Sequence, residues 1–540
     1  MKKTRLFALT MALLMVVSMI AGCSAPNRPG LEVTGATTAG STEAGANTES
    51  GYKKLTIGTD MASQSFSPTI TWGNTEYVVS SMVFEPLASY DENGELAGIV
   101  AKSWTQTDDE GFEYDFEIYD YVEDIDGNHI TAADIIGFFQ NCVDDNYAMI
   151  ARQLESFEQT GDYTFHVKLK RNTIDGITTI LTSTKVYSQK AYQESADKFV
   201  TSPIGTTSYR VTDFEVGGNI TLKKDSHPYW QKDASLIKCK EQLANVDEVV
   251  VVPLVEASQQ SIAIETGTID IMRAMNSAVI GRFQSDDTYT VNDQEKVMSR
   301  GLYFSGEPGR PTADNLNLRL AICYAIDTQG LVDIVLAGRG VPEKSFTSSK
   351  ALGFDQKWLD EDYYDYDVDK AKEYLAAAGY QPGELKLTFL TVATEEWQKV
   401  AQVVQGYLMD IGIEVEIQAY EGALFSTMMN DGTQYDMTLD QIGGNFYGVN
   451  VNSKMGQTGY GGKSKAGFVD NKLEDLIMKT LYADSTQEDF DNLHYYLKDT
   501  AYCMGLYDSL VGYVYRTDLG IANFVYDYKG MDLINAIEFA

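Results

Sequence analysis

The segment 385–419 constrains the fold more than any other part of the sequence. Apolar and polar residues alternate over 385–389 and again over 413–417, which is the pattern of a half-buried strand. Between them, apolar residues recur with helical spacing, after Thr394, which can cap a helix, and before Gly412, which can end one. Two strands joined to a helix by short connections predict a parallel pair with a right-handed crossover. We therefore predict an α/β fold.

Two other parts of the chain support this fold class. Residues 249–255 have the composition of a buried strand, 257–266 that of a helix, and 270–272 that of a short strand. Farther on, Asp367 can cap a helix that ends at Gly379. Strands and helices therefore alternate in widely separated regions, as α/β proteins require.

Length and charge limit the classes of protein to consider. A chain of 540 residues, 44% hydrophobic and 22% charged, is globular and too long for one core, so we expect two or three domains. Its formal net charge is -36. A surface this acidic repels phosphate groups, which argues against nucleic acids and anionic lipid surfaces as non-covalent partners.

The N-terminus has the order of a secretory signal peptide. Basic residues precede an apolar run over 6–21, and the run ends in small residues directly before Cys23. Residues 20–23 resemble a bacterial lipobox, so we predict a signal peptide over 1–22 and lipid on Cys23. Residues 23–51, rich in Ser, Thr, Gly and Ala, would be the anchor and a flexible linker. The expected location is the outer face of the cell membrane, with an ordinary secretory peptide as the alternative.

No motif in the chain predicts catalysis or a metal site. The four histidines occur singly, and no H-E-x-x-H or G-x-S-x-G sequence is present. The acidic segment 360–369 lacks the glycine and the final glutamate of a calcium-binding loop. The remaining cysteines are widely spaced and predict buried thiols, with one disulfide possible: Cys142, Cys239, Cys323 and Cys503. We therefore expect no catalytic residue, metal or cofactor; an exported hydrolase is the less favoured alternative.

Six segments resemble, in order, those of one known family. They include the turn sequences VFEPL and AKSW, the segment DGNHITAADI, and sequences similar to the family's "GTGPYKV", "VRQALxYAID" and "DPxKAKxLLxEAGY" stretches, at 83–87, 101–104, 126–135, 203–211, 317–327 and 367–380. Over about residues 52–540 the chain therefore resembles extracellular solute-binding protein family 5, of the lipoprotein type. That family serves oligopeptide, dipeptide and nickel ABC importers.

The resemblance implies a type II periplasmic-binding-protein fold, in which two lobes are joined by two hinge crossings and the first lobe carries an extra inserted subdomain. The crossings would lie near 303–305 and 510–513. The implied division is lobe I over 52–84, 202–303 and 512–540, an inserted subdomain over 85–201, and lobe II over 304–511.

The same resemblance implies a binding function. A monomer would capture a small solute, a peptide or peptide-like compound, by hinge closure, and would deliver it to the transmembrane subunits of an ABC permease. A non-peptide solute such as an oligosaccharide or a metal chelate, or a role as a sensor on the same fold, remains open.

Candidate ligand-binding residues follow from the matched segments. In peptide-binding members, a tryptophan and then an aspartate that pairs with the peptide ammonium follow a "YDL" strand. Counting from Tyr435 without gaps places Ile442 and Asn445 at these positions, and a gap would restore Asp440. The full set of candidates is Trp72, Glu85, Tyr420, Glu421, Gln441, Gly443, Gly444, Asn445, Phe446 and Tyr447.

Overall fold

The computed structural model describes residues 51–59, 62–69, 79–254, 256–274, 277–443, 446–457, 461–526 and 532–540. The predicted signal peptide and the linker up to residue 50 lie outside these residues. Three of the candidate ligand-binding residues also lie outside them: Trp72, Gly444 and Asn445.

Strands occur along the whole described chain and form one large sheet and several small ones. They are β1 (Lys54–Thr59), β2 (Ala88–Tyr90), β3 (Leu96–Gly98), β4 (Ala101–Gln106), β5 (Glu113–Ile118), β6 (Leu154–Gln159), β7 (Thr164–Leu169), β8 (Tyr209–Phe214), β9 (Ile220–Lys224), β10 (Glu248–Pro253), β11 (Ile271–Ala274), β12 (Tyr289–Phe304), β13 (Gly340–Pro342), β14 (Leu385–Val392), β15 (Ile413–Tyr420), β16 (Met437–Gly443), β17 (Cys503–Arg516), β18 (Ile521–Asn523) and β19 (Glu538–Phe539).

Helices alternate with the strands, as the sequence predicted. They are α1 (Ala132–Asp144), α2 (Ala148–Ala151), α3 (Gly176–Ser183), α4 (Gln189–Glu194), α5 (Ala257–Glu265), α6 (Ser277–Gly281), α7 (Leu316–Ala325), α8 (Thr328–Leu336), α9 (Val368–Ala377), α10 (Glu395–Asp410), α11 (Gly422–Asn430), α12 (Tyr447–Met455), α13 (Asn471–Lys479) and α14 (Gln487–Thr500). Among the described residues, none of the helices has the length and apolar character needed to cross a bilayer.

The predicted strand–helix–strand unit is confirmed. Strands β14 and β15 pair in parallel, with Leu385 opposite Ile413, and α10 connects them. Gly412 ends the connection with a φ of +85°, and a Cβ there would lie 2.4 Å from Pro382 Cβ. Only glycine adopts this conformation in this space without strain. The predicted cap of α9 is also confirmed, because the Asp367 side chain accepts a hydrogen bond from the Lys370 amide at 2.9 Å.

Two long antiparallel strands, β12 and β17, connect the two parts of the large sheet. Its order is β15-β14-β16-β12-β17-β11-β1-β10-β9-β8, with β13 beside β17. Strand β12 pairs with β16 only from Met298 onward, whereas β17 pairs with β11 from Gly512 onward. Each strand therefore belongs to one part of the sheet at one end and to the other part at the other end. Strand β12 pairs with β17 over most of its length and gains β16 as a second partner from Met298 onward.

Separate hydrophobic cores lie on the two sides of these crossings. One core contains the buried faces of β1, β9 and β10 and also side chains between residues 79 and 199. A second core lies between β14–β16 and the helices α7 to α10. A third lies on the other face of β16 and holds α12, α13 and α14. The four cysteines beyond the linker are buried free thiols, as predicted.

Residues 101–169 add a small antiparallel sheet to the first core. Its order is β4-β5-β7-β6. Phe116 and Phe165 stack at 4.7 Å between ring centroids, and Phe139 of α1 packs edge-on against Phe165 at 6.1 Å. At the start of helix α1, the Thr131 amide donates to Asp134 Oδ2 at 2.8 Å, which satisfies a backbone donor at the helix N-terminus.

Candidate functional site

The carboxyl ends of both groups of parallel strands lie beside the crossing strands. In one group, β14, β15 and β16 run in parallel, and Gly443 at the end of β16 is opposite Met298 of β12. In the other, β1, β10 and β11 run in parallel, and Ala274 at the end of β11 is opposite Gly512 of β17. Ligands of open α/β sheets bind outside the carboxyl ends of the strands. The candidate site is therefore the region where these two edges meet the crossings.

Three strands place polar side chains in one row at this edge. Arg300 of β12 is directly opposite Gln441 of β16 on one side and Tyr507 of β17 on the other. Residues in register across neighbouring strands share a face of the sheet. Arg300 Nη1 donates to Gln441 Oε1 at 2.9 Å, and the Arg300 side chain is only 6% exposed.

The first turn of α10 completes the row with a carboxylate and an aromatic ring. Glu396 Oε1 lies 3.4 Å from Arg300 Nε and accepts a hydrogen bond of 3.0 Å from the Tyr507 hydroxyl. Burial, together with the charge of Glu396, raises the pKa of Tyr507 well above its usual value, so the phenol keeps the proton that it donates. The Arg300 guanidinium lies 5.2 Å from the centroid of the Trp397 ring. We call Arg300, Glu396, Trp397, Gln441 and Tyr507 the edge cluster.

Part of the predicted ligand-binding set lies at the same edge. Tyr420 ends β15, is half-buried, and packs in the small apolar cluster that also contains Trp397. Glu421 follows it and is exposed, and Gly443 is exposed at the end of β16. With Gln441, four of the predicted residues therefore lie along the strand ends next to the edge cluster.

Other predicted residues lie inside the hydrophobic cores. Glu85 is 1% exposed within the first core, where it accepts hydrogen bonds from Trp230 Nε1 at 2.8 Å and from the Tyr229 hydroxyl. Burial raises the pKa of Glu85 to about 7, although these hydrogen bonds oppose the shift. Tyr447 is fully buried in the third core, with its hydroxyl 3.3 Å from His494 Nδ1. Phe446 precedes it and is half-buried beside Leu352.

The alternative acid, Asp440, forms ion pairs with two lysines. Lys454 Nζ lies 2.5 Å from Asp440 Oδ2, and Lys465 Nζ lies 3.4 Å from the same oxygen. The Asp440 side chain is 13% exposed. Burial lowers the pKa of Lys454 even though the charge of Asp440 favours the protonated form. Asp440 thus stabilises the packing of α12 and the following loop on β16.

Ion pairs of two buried arginines also stabilise the end of β11 and the crossing strand β12. At the end of β11, Arg273 Nε donates to Asp532 Oδ2 at 2.9 Å, and both side chains are almost fully buried. Arg339, which is 4% exposed and follows α8, pairs with Asp293 of β12. A Cβ on Gly512 would lie 2.9 Å from Arg339 Nη2, so glycine leaves room for this arginine beside the crossing strand.

Comparisons with known proteins agree with this architecture. Residues 95–463 match the family model "Bacterial extracellular solute-binding proteins, family 5 Middle". Heme-binding protein A of Haemophilus influenzae is 22% identical over 459 residues, which cover 78% of this chain and 80% of the relative.

Two solved structures have the same fold at low identity. NikA from Brucella suis in complex with Fe(III)-EDTA has a TM-score of 0.78 at 19% identity, and the match covers 90% of this chain and all of NikA. The ABC transporter-associated periplasmic binding protein DppA from Helicobacter pylori, in complex with the peptide STSA, has a TM-score of 0.72 at 18% identity, covering 90% of this chain and 98% of DppA.

The fold is that of a two-lobed periplasmic-binding protein with an inserted subdomain and two strand crossings between the lobes. The family model spans more than half of the chain. The protein belongs to the bacterial extracellular solute-binding proteins of family 5. It is a solute-binding protein of this family, as the resemblance in its sequence implied.

Proposed function

We propose that this protein captures a peptide or peptide-like solute by hinge closure and delivers it unchanged to an ABC permease, acting as a monomer tethered through lipid on Cys23 to the outer face of the cell membrane. The observation that carries the proposal is the arrangement of β12 and β17. Strand β12 pairs with β16 of one part of the sheet, β17 pairs with β11 of the other, and the two strands pair with each other, so that the carboxyl ends of the parallel strands lie beside them. A small rotation about two such strands opens or closes the region between the edges.

The proposed division follows the sequence with one adjustment. Lobe I comprises 52–84, about 202–293 and 512–540, the inserted subdomain comprises 85–201, and lobe II comprises the residues from about 298 to 511. The start of the β12–β16 pairing at Met298, together with the shift in the β12–β17 register between Glu295 and Ser299, supports moving the first crossing to residues 293–298. The second crossing, at 510–513, agrees with the start of the β17–β11 pairing at Gly512.

The edge itself supports a peptide-like solute. Trp397 and Tyr420 present partly exposed aromatic surface, and the exposed end of β16 at Gly443 offers backbone groups to an extended ligand. Main-chain hydrogen bonds combined with side-chain pockets are a general way to bind extended peptides. The peptide complex of DppA supports the same class of solute.

A metal chelate or heme is the second candidate. It is supported by the Fe(III)-EDTA complex of NikA and by the name of heme-binding protein A. Mass spectrometry of the solute that copurifies with the protein from its own source separates the candidates. We expect peptides in a one-to-one complex with the protein. A chelate, a heme or a sugar in their place would contradict the peptide assignment and leave the solute-binding role intact.

The anchor has a separate test. Cys23→Ala should abolish labelling by a fatty-acid analogue and release the protein from membranes. Continued membrane retention of the variant without labelling would contradict the lipid assignment. Deletion of the gene distinguishes a transport role from a sensor role. A transport role predicts loss of solute uptake, and a sensor role predicts normal uptake.

A further inference from the structure

The inserted subdomain contacts lobe II at a place separate from β12 and β17. Thr173 forms an isolated antiparallel bridge with Tyr482, which lies between α13 and α14. Two backbone hydrogen bonds flank this pair, at 2.8 and 3.4 Å between donor nitrogen and acceptor oxygen. We call residues 172–174 and 481–483 the bridge segments; neither belongs to a strand of the large sheet. The inserted subdomain and lobe II are therefore joined directly as well as through the crossing strands.

An apolar side chain strengthens this contact. Ile174 of the inserted subdomain is half-buried and packs against the third core, whose helices α12, α13 and α14 belong to lobe II. Its amide donates the shorter of the two hydrogen bonds to the Leu481 carbonyl, and the Leu481 side chain is buried in the same core. Burial of apolar surface favours the joined state. The inserted subdomain thus contributes a side chain to a core of lobe II.

Each bridge segment is attached to its own side of the structure. On the side of the inserted subdomain, Asn172 Nδ2 donates to the Glu110 carbonyl at 2.7 Å, beside the small antiparallel sheet. On the side of lobe II, the Ser485 hydroxyl donates to the Tyr482 carbonyl at 2.6 Å, between the two helices α13 and α14. Separation of the bridge segments therefore requires the inserted subdomain and lobe II to move relative to each other.

The contact is small enough to form and break. One residue pair and two hydrogen bonds join the bridge segments, whereas β14 and β15 pair along their whole length. The Thr173 hydroxyl is buried and has no hydrogen-bond partner in the described part of the chain, and burial of an unpaired hydroxyl opposes the contact. Hinge closure moves packed units between two arrangements and leaves their interiors unchanged. The bridge segments can separate in such a movement without unfolding either side.

We propose that the bridge segments form a latch, which joins the inserted subdomain to lobe II when the lobes close around a solute and which must open before the solute leaves. This inference rests on the proposed function, because it assumes closure by a hinge. The two backbone hydrogen bonds and the packing of Ile174 correspond to about a 10- to 100-fold change in the equilibrium between the closed and open forms. A weakened latch should release the solute faster, and a latch fixed by a covalent bond should retain it.

A reversible covalent bond across the bridge tests the latch. The hydrogen bonds flank Thr173 and Tyr482 and do not join them, and the Cα atoms of such a pair lie about 4.5 Å apart, which a disulfide spans. The double variant Thr173→Cys/Tyr482→Cys is stripped of small molecules, and its radius of gyration is measured by small-angle X-ray scattering before and after oxidation. We expect a smaller radius after oxidation and a return to the larger radius with dithiothreitol. The wild-type protein and both single variants should keep the larger radius in the same oxidant, because the four thiols beyond the linker are buried.

Release of solute is measured with short peptides from a casein hydrolysate as the probe, and their binding is followed by tryptophan fluorescence. Peptides bound to the double variant before oxidation should survive dialysis after oxidation and leave on reduction. Ile174→Ala should release the peptides about 10-fold faster than the wild-type protein, because it removes an apolar contact with lobe II. Ile177→Ala removes the same atoms from an isoleucine that packs against the first core, and it should keep the wild-type rate.

The other outcomes contradict separate statements. A disulfide that does not form in the folded double variant, or equal radii of its oxidised and reduced forms, overturns the latch. If the radius of the wild-type protein nevertheless decreases when the peptides bind, closure by a hinge stands without the latch. A wild-type radius that stays constant although the peptides bind overturns hinge closure and the latch together. Failure of the wild-type protein to bind the peptides overturns the peptide assignment alone, because the radii of the stripped double variant still decide the latch.

Discussion

Replacement of Glu85 by glutamine tests whether burial in the first core raises the pKa of this carboxyl group and makes the stability of the protein depend on pH. Glu85 is 1% exposed, and burial raises its pKa from 4.5 to about 7. The folded state therefore binds the proton more tightly than the unfolded state does. The resulting stability is fully present below the unfolded pKa and is lost as the pH rises through the folded pKa. A shift of this size corresponds to about 3 kcal/mol, of which about 2.5 kcal/mol disappears between pH 5 and pH 8.

Glutamine keeps the shape of the side chain and cannot ionise. Measured by urea unfolding at a series of pH values, the free energy of unfolding of the wild-type protein should fall by about 2.5 kcal/mol relative to Glu85→Gln between pH 5 and pH 8. Glu92→Gln, at an exposed turn position, should track the wild-type protein. A wild-type-to-Glu85→Gln difference that stays constant over this range would refute the reasoning.

Two further predictions concern buried charges elsewhere. Burial, including a parallel stack on Trp358 at 3.9 Å, lowers the pKa of His494 to about 3, so its contribution to stability is present above pH 6.5 and lost on acidification. Relative to His494→Gln, the wild-type protein should lose about 2 kcal/mol in urea unfolding between pH 7 and pH 5. Asp293→Ala should destabilise the protein by about 2 to 3 kcal/mol, because it leaves buried Arg339 without its ion-pair partner. Asp287→Ala, at an exposed turn, should leave the thermal unfolding midpoint nearly unchanged, and equal midpoints for both variants would show that the ion pair contributes no stability.

Local sequence patterns predicted those strands, helix ends and helix caps that depend on residues close together in the chain. The alternation over 385–389 and 413–417, the stop at Gly412 and the cap at Asp367 each depend on residues a few positions apart. The periplasmic-binding fold could be predicted because six segments resemble those of the family and occur in the family's order. The point at which β12 gains β16 as a second partner depends on pairing with a strand more than 130 residues away, which no local pattern in the sequence records.

The edge cluster could not be found in the same way. Arg300, Glu396 and Tyr507 belong to three elements far apart in the chain. The register of β12 against β17 brings Arg300 and Tyr507 together, and the position of α10 adds Glu396. No spacing within the sequence records that register. The burial of Glu85 and Tyr447 could not be predicted either, because it depends on tertiary packing that places both side chains inside hydrophobic cores.

Small-angle X-ray scattering of the protein with and without its copurifying solute tests the central claim most directly. The solute is stripped, added back at saturation and recovered afterwards for mass spectrometry. Closure about the crossings of β12 and β17 predicts a smaller radius of gyration in the saturated protein and a recovered solute of unchanged mass. An unchanged radius at saturation would contradict hinge capture, and a recovered product of different mass would contradict a binding protein that performs no catalysis.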